Sequence, residues 1–313
     1  MGAVGLLATK KRKEDGMDGQ RPQYMKLAWG DVRASAGWKS KCFRLGLVSL
    51  IPVFGDIVRG GYAYGWARDV AWGVREPLPA EIFGNEDGRL YSRGFYVFVL
   101  MLVCTLAPWA ASSLLSAVTG MHGVAYEHFW SGHGLMPLFW ASSAVGVVAF
   151  AVSVALAVAA SVFALVGALR ISIYDRMSAG FQFSKVWAMV RRDTRGIVSI
   201  LGWSLLFTLL VSLAVFTVAM IVVVTLVTVV AVAVGAMSYG GADAVGSSMA
   251  AALALCAVAF VGLALALALA VASTSAYSAL SLVTARAVGL WGYQFDVASW
   301  RGQDDPLPFE PHV

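Results

Sequence analysis

The run IVSILGWSLLFTLLVSLAVFTVAMIVVVTLVTVVAVAVGAM, residues 197–237, contains no charged residue, no proline and no asparagine. A helix needs roughly 20 mostly apolar residues to cross about 30 Å of hydrocarbon. The run is therefore either one helix of about 60 Å or two short spans joined by a tight turn. No proline, asparagine or charge marks a turn, and a double crossing would break the charge alternation described below. One long helix projecting beyond the outer leaflet is expected. Three further stretches qualify as spans: about 95–119, about 136–169 ending at Arg170, and about 249–273, the last running on as helix toward Arg286. The 136–169 stretch is also long enough to project.

Composition agrees. Apolar residues make up 59% of the chain and charged residues 13%, where soluble domains sit nearer one quarter charged. Mean hydropathy is +0.74. A soluble chain of 313 residues could not hide that much apolar surface in one core. The fold class expected is an all-α integral membrane protein, a helical bundle with about four spanning helices.

The connecting segments give an orientation. Lys and Arg collect in 1–44, 55–94 and 170–195, whereas 120–135 and 238–248 hold none. Under the positive-inside rule the first three segments face the cytoplasm and the other two face outward. Both termini are then cytoplasmic, and the location expected is the cell membrane. The net charge of +5 is this same signature, so nucleic acid is not an expected partner. Anionic lipid of the inner leaflet is, together with membrane-protein partners or further copies of the chain. Residues 1–24 read as a mobile basic tail, with Met17 and Met25 as alternative starts. Residues 25–295 read as a single polytopic domain and 296–313 as an acidic cytoplasmic tail.

One apolar segment resists being read as a span. LGLVSLIPVF, residues 45–54, is half the needed length and has basic sequence on both sides. Pro52 removes a backbone donor and Gly55 loosens the helix, so a bend belongs here. Residues 40–75 are expected to form a broken helix pair that either dips into the cytoplasmic leaflet as a re-entrant element or lies flat at the interface.

Other features sit near the interfaces. Residues 182–194 look amphipathic, with Phe183, Val186, Trp187 and Val190 at helical spacing. That suits an in-plane helix or a connector packed on the bundle. The tryptophans cluster near span ends as an aromatic belt, Trp109 excepted. Small residues at four-residue steps (Ser153, Ala157 and Ser161; Gly262, Ala266 and Ala270) allow close helix approach.

Several short motifs together resemble the family of prokaryotic membrane proteins known as domain of unknown function 4013. They are Ile51-Pro52-Val53-Phe54-Gly55, Gly61-Tyr62, Leu78-Pro79 with Glu81 and Phe83, Gly94, Ala179-Gly180-Phe181 through Arg191-Arg192, and Gly289-Leu290-Trp291-Gly292-Tyr293. The resemblance covers roughly 25–295. It implies a membrane protein and carries no activity or catalytic residues with it.

Chemistry is hard to find. There is no phosphate-cradling GxxxxGK[ST] and no HExxH zinc pattern, and no cofactor is expected. Cys42, Cys104 and Cys256 show no pairing pattern. His122, His128 and His133 gather with Glu127 in 120–135, but their gaps fit no common ligand spacing, so polar loop residues are the expectation. The spans carry no ionisable residue of the kind that marks proton relays. Thr208, Ser212, Thr217, Thr225 and Thr228 either line a polar path or bond back to their own helix. The candidate functional element is the broken pair: Pro52, Gly55, Asp56, Arg59, Gly61, Tyr62, Arg68 and Asp69. Its charges either serve a ligand, as bent helices do in transporters, or pair with one another. The function expected is a non-enzymatic scaffolding, assembly or regulatory membrane module. The alternatives are a transporter or permeability protein using 51–69, and an interfacial enzyme acting on lipid.

Overall fold

The computed structural model of the protein describes residues 23–83, 88–118, 136–239 and 244–297, and among these it is helical without a strand. Three helices open the chain: α1 (Tyr24–Ala34), α2 (Trp38–Val48) and α3 (Phe54–Ala71). Two long helices follow, α4 (Leu90–Val118) and α5 (Met136–Tyr174). The short α6 (Met177–Gly180) and α7 (Phe183–Arg192) lead into the long α8 (Thr194–Tyr239) and α9 (Ala244–Tyr293).

Each of the four long helices contains a stretch long and apolar enough to cross a membrane: Leu90–Leu114, Val147–Tyr174, Thr194–Val232 and Cys256–Tyr293. The protein is a multi-pass helical membrane protein. Residues 197–237 lie in the single unbroken α8, and Asp193 opens that helix by accepting the Gly196 amide at 2.9 Å, the usual work of an N-cap carboxylate. The helices overrun the stretches read from hydropathy. α9 in particular passes straight through Arg286, a residue buried in protein that has no need to reach water.

Inside lipid a hydroxyl needs a partner close by. Thr208, Thr217, Thr225 and Thr228 each donate to the carbonyl four residues earlier, so their hydroxyl protons are spent within their own helix. Ser212 instead meets the Tyr277 hydroxyl at 2.7 Å, tying α8 to α9.

α4 pairs with α5, and α8 with α9; α3 packs against both α4 and α9, wedged between the two pairs, while α1 and α2 lie on α9. The core gathers around this wedge, where Tyr62, Trp66, Leu90, Leu100, Leu169 and Trp291 are buried. Farther along the spans burial almost vanishes, and Leu209, Phe216, Phe260 and Leu263 are well exposed. Lipid is as apolar as they are, so no protein need cover them.

Glycines set the closest contacts. A Cβ on Gly94 of α4 would lie 2.0 Å from the Ile57 carbonyl oxygen of α3, and one on Gly61 would lie 2.1 Å from the Leu90 oxygen. Gly289 of α9 sits equally close to the Ala67 carbonyl of α3, and Gly46 of α2 to Ser275 of α9. Of the two small-residue stripes, Gly262 does face α8, against Leu226. Ser153 and Ser161 bond back within α5.

Candidate functional site

The broken pair is a tight helical hairpin. α2 ends at Val48; Pro52 cannot continue it, and Val53 takes φ 67°, an unusual conformation for a β-branched residue. Gly55 then packs so closely on Val48 and Ser49 that a Cβ would lie 2.4 Å from their backbones. Contacts order the hairpin against its neighbours. Ile57 faces Gly94 and Gly61 faces Leu90, so α3 runs antiparallel to α4; Gly46 faces Ser275 while Gly289 faces Ala67. The turn at 49–53 therefore points along α4 and α9 into their apolar stretches. Phe43, Leu47, Ile51 and Val53 stand exposed at that tip.

The eight candidate residues do not converge. Asp56 pairs with Arg59 one turn on, with both side chains partly exposed. Arg68 pairs with Asp69 at 2.9 Å and lies over the Trp72 ring. The two couples are separated by about 13 Å along α3. Gly55 and Gly61 are occupied in close packing, and the Tyr62 hydroxyl donates to the Pro79 carbonyl at 2.7 Å. A pair as exposed as Asp56–Arg59 contributes well under about 1 kcal/mol.

Two arrangements went unread in the sequence. The first is a strap, Val74–Phe83, laid across the hairpin base. Trp66 donates to the Glu76 carbonyl at 3.0 Å, Lys41 to the Leu78 carbonyl at 2.9 Å, and the Leu78 amide to Ser35 Oγ at 3.0 Å. Leu78 and Ile82 are buried beneath it, and desolvation holds the Lys41 ammonium below its ordinary pKa.

The second is a set of buried arginines, Arg93, Arg170 and Arg286, near the ends of α4, α5 and α9 that gather around α3. Arg93 reaches Asp175 at 3.3 Å, where Arg89 also pairs. Arg170 donates to the Ala179 carbonyl at 3.1 Å and to Gln182 at 2.7 Å, holding α6 and α7 onto α5. Arg286 pairs with Asp31 of α1 at 2.8 Å and lies 4.2 Å over Trp66. In the sequence only Arg170 marks a span end; Arg93 belongs to the basic segment 55–94, and Arg286 lies beyond the last apolar stretch. For Arg170 the available signal was a lone arginine between largely apolar turns, GALRISIY.

α7 is amphipathic, as its spacing predicts, but its apolar arc is covered only along one edge: Val186, Met189 and Val190 are buried, whereas Phe183 and Trp187, one turn apart on the other edge, are 69% and 62% exposed. Phe183 stacks on Phe163 of α5 at 4.3 Å. Trp66 and Trp291 also leave the aromatic belt, being core residues; Trp291 donates to the Asp193 carbonyl at 3.2 Å. Burial, with the Asp193 carboxylate adding to it, pushes the nearby Tyr24 phenol up to about 12.

Among the described residues no group of His, Cys, Asp or Glu is placed to hold a metal ion. Cys42, Cys104 and Cys256 are free thiols. His122, Glu127, His128 and His133 lie outside the described residues, as do 1–22 and 298–313. A groove of about 360 Å³ between α8 and α9, lined by residues such as Leu226, Val258 and Leu265, has Thr225 as its one hydroxyl, and that is bonded to its own helix.

A family model described as "Protein of unknown function (DUF4013)" matches residues 44–224, more than half of the chain. The chain belongs to this family. No curated protein and no solved structure matches it. The DUF4013 match is narrower than the 25–295 read from motifs: it opens inside α2, ends inside α8, and leaves out the Gly289–Tyr293 motif. That motif nonetheless packs on the matched part, with Gly289 against Ala67 and Gly292 against Leu169. Within the match, the DUF4013 motifs coincide with the hairpin turn (51–55), the α3–α4 crossing (Gly61 and Gly94), the strap anchor (Leu78-Pro79) and the α5–α6 contact, where Gly180 faces Gly167.

Proposed function

We propose that this DUF4013 protein is a non-enzymatic scaffolding, assembly or regulatory module of the cell membrane. The observation that carries the reading is the fate of the broken hairpin: its charges pair with each other and its glycines hold helices together. A transport site at bent helices needs free backbone or polar groups around a cavity, and the hairpin has been built as a wedge instead. Its partners on this reading are anionic inner-leaflet lipid, other membrane proteins or further copies of itself, with no nucleic acid among them. Both termini face the cytoplasm, following the basic segments.

Orientation is tested by single cysteines at 20, 56, 85, 127, 180, 243 and 305, after replacement of the native thiols, with a membrane-impermeant thiol reagent. External labelling is expected only at 127 and 243. Labelling at 85 from outside would overturn the arrangement, because the hairpin would then have crossed. The functional reading is tested by purification in mild detergent, where a stable membrane-protein partner or self-association is expected. A protein that stays monomeric and partnerless, yet conducts a solute in reconstituted vesicles and loses that flux on Asp56→Asn, would make it a transporter.

A further inference from the structure

Two exposed apolar surfaces are left over once the core is assembled: the hairpin tip, and the Phe183–Trp187 side of α7. Their depths can be compared through the contacts between helices. Ile57 faces Gly94, so the tip lies about 6–10 Å farther along α4, close to Leu100. Gly167 of α5 faces Leu100, and Phe183 stacks on Phe163, about one turn beyond Gly167. Both surfaces thus sit near one level, at the inner ends of the apolar stretches. Large apolar side chains left in water there would forgo the gain of leaving it. Basic residues flank both: Arg44 beside the tip, Arg191 at the far end of α7 and Arg195 in the first turn of α8, all exposed. Apolar side chains continuous with the spans and rimmed by cations are complementary to acyl chains under anionic headgroups.

We propose that the hairpin tip and α7 insert together into the cytoplasmic leaflet, so that the protein is a one-sided wedge that favours membrane curved with its cytoplasmic face convex. The proposal rests on the orientation inferred above. Among the described residues, only α4, α5, α8 and α9 continue toward the other leaflet. A helix with its side chains is about 10–12 Å across, so each upright helix occupies on the order of 90 Å² of a leaflet. Two hairpin legs and an α7 running from α5 to the start of α8 roughly double the four-helix footprint on the inner side alone. A leaflet loaded in this way relaxes by bending, which is how amphipathic insertions come to depend on curvature.

The test uses purified full-length protein, fluorescently labelled and reconstituted into phosphatidylethanolamine–phosphatidylglycerol vesicles of widely differing diameter, with density per membrane area read vesicle by vesicle. About threefold or greater enrichment on the smallest vesicles is expected, with a cysteine at residue 20 accessible from outside. Phe183→Ser with Trp187→Ser gives up one ring stack, on Phe163, and otherwise changes exposed surface, and is expected to cut the enrichment by about half; Leu50→Ser with Ile51→Ser, both exposed at the tip, is expected to do the same. Density independent of diameter, or enrichment untouched by both double variants, overturns the wedge. Because the vesicles hold no other protein, that failure is distinct from failure of the scaffold reading, which is read by partner retention in detergent.

Discussion

Gly94→Val is expected to abolish the folded protein, with a loss on the order of 3–5 kcal/mol and little monodisperse material after extraction. The reason lies in which atoms the new side chain would meet. A Cβ at Gly94 would lie 2.0 Å from the Ile57 carbonyl oxygen and 2.8 Å from its carbon, and the Gly61 amide is 3.1 Å away. These are backbone atoms of a buried helix, so no rotamer change relieves the clash. α3 would have to leave α4, and with it the hairpin would lose one of its two walls. Small residues at such crossings permit the close backbone approach on which helix association in lipid depends. Two controls separate this effect from a general sensitivity of glycines. At Gly60 a Cβ would meet the Val97 side chain at 3.4 Å and the Gly94 carbonyl oxygen at 3.8 Å, both within ordinary contact, and at Gly202 nothing lies within 4 Å. Gly60→Ala and Gly202→Ala are therefore expected to change the melting temperature of the detergent-solubilised protein by no more than about 2 °C. A Gly94→Val protein that melts within that same margin would remove the crossing from the account of the fold.

How far the sequence could be read follows from what hydropathy measures. The four spans and the unbroken α8 were legible because lipid demands long uncharged runs, and the hairpin because Pro52 and Gly55 interrupt a run between basic segments. The pairing of Asp56 with Arg59 and of Arg68 with Asp69 was one of two readings open, and local spacing alone was enough to raise it. Hydropathy does not, however, distinguish an apolar residue facing lipid from one facing protein. α3 is the clearest case. FGDIVRGGYAYGWARDVA carries charges and glycines and is only weakly apolar, yet Gly61 through Ala67 are buried without a break. Its burial rests on small residues that admit a neighbouring backbone, a three-dimensional match with Gly94 and Gly289 that no periodicity reveals. For the same reason spacing shows the apolar arc of α7 but not that protein covers only one edge of it. The burial of Arg93 and Arg170 was not legible because the positive-inside rule counts a charge without asking what solvates it, and the same holds for a lone arginine such as Arg286.

The decisive experiment on that last point concerns Arg286. Its side chain is 2% exposed; Nε donates to Asp31 Oδ2 at 2.8 Å and Nη1 to the Trp66 carbonyl at 3.3 Å. The guanidinium plane covers the Trp66 ring at 4.2 Å, so one side chain of α9 holds both α1 and α3. Removing the acid leaves a buried cation without its counter-charge, an arrangement that costs about 3–5 kcal/mol when both partners are enclosed. Asp31 is 40% exposed, and water replaces part of what is lost, so about 2–3 kcal/mol is expected for Asp31→Ala. Arg286→Met keeps the apolar stem and removes the charge, and is expected to cost less. The double variant should then be no less stable than Asp31→Ala alone, whereas two independent contributions would add. Strict additivity would sink the idea of a coupled tie. Arg286→Lys separates a structural tie from a bare positive charge that would orient the chain. It preserves the positive charge, and so any topological signal, but loses the fork that meets carboxylate and carbonyl together and weakens the stack on Trp66. If Arg286 served only to mark the cytoplasmic side, the lysine variant would match the parent in both orientation and stability. As a tie between α1, α3 and α9, it should keep the orientation, lose about 1–2 kcal/mol, and expose the α1 segment to protease before the rest of the chain.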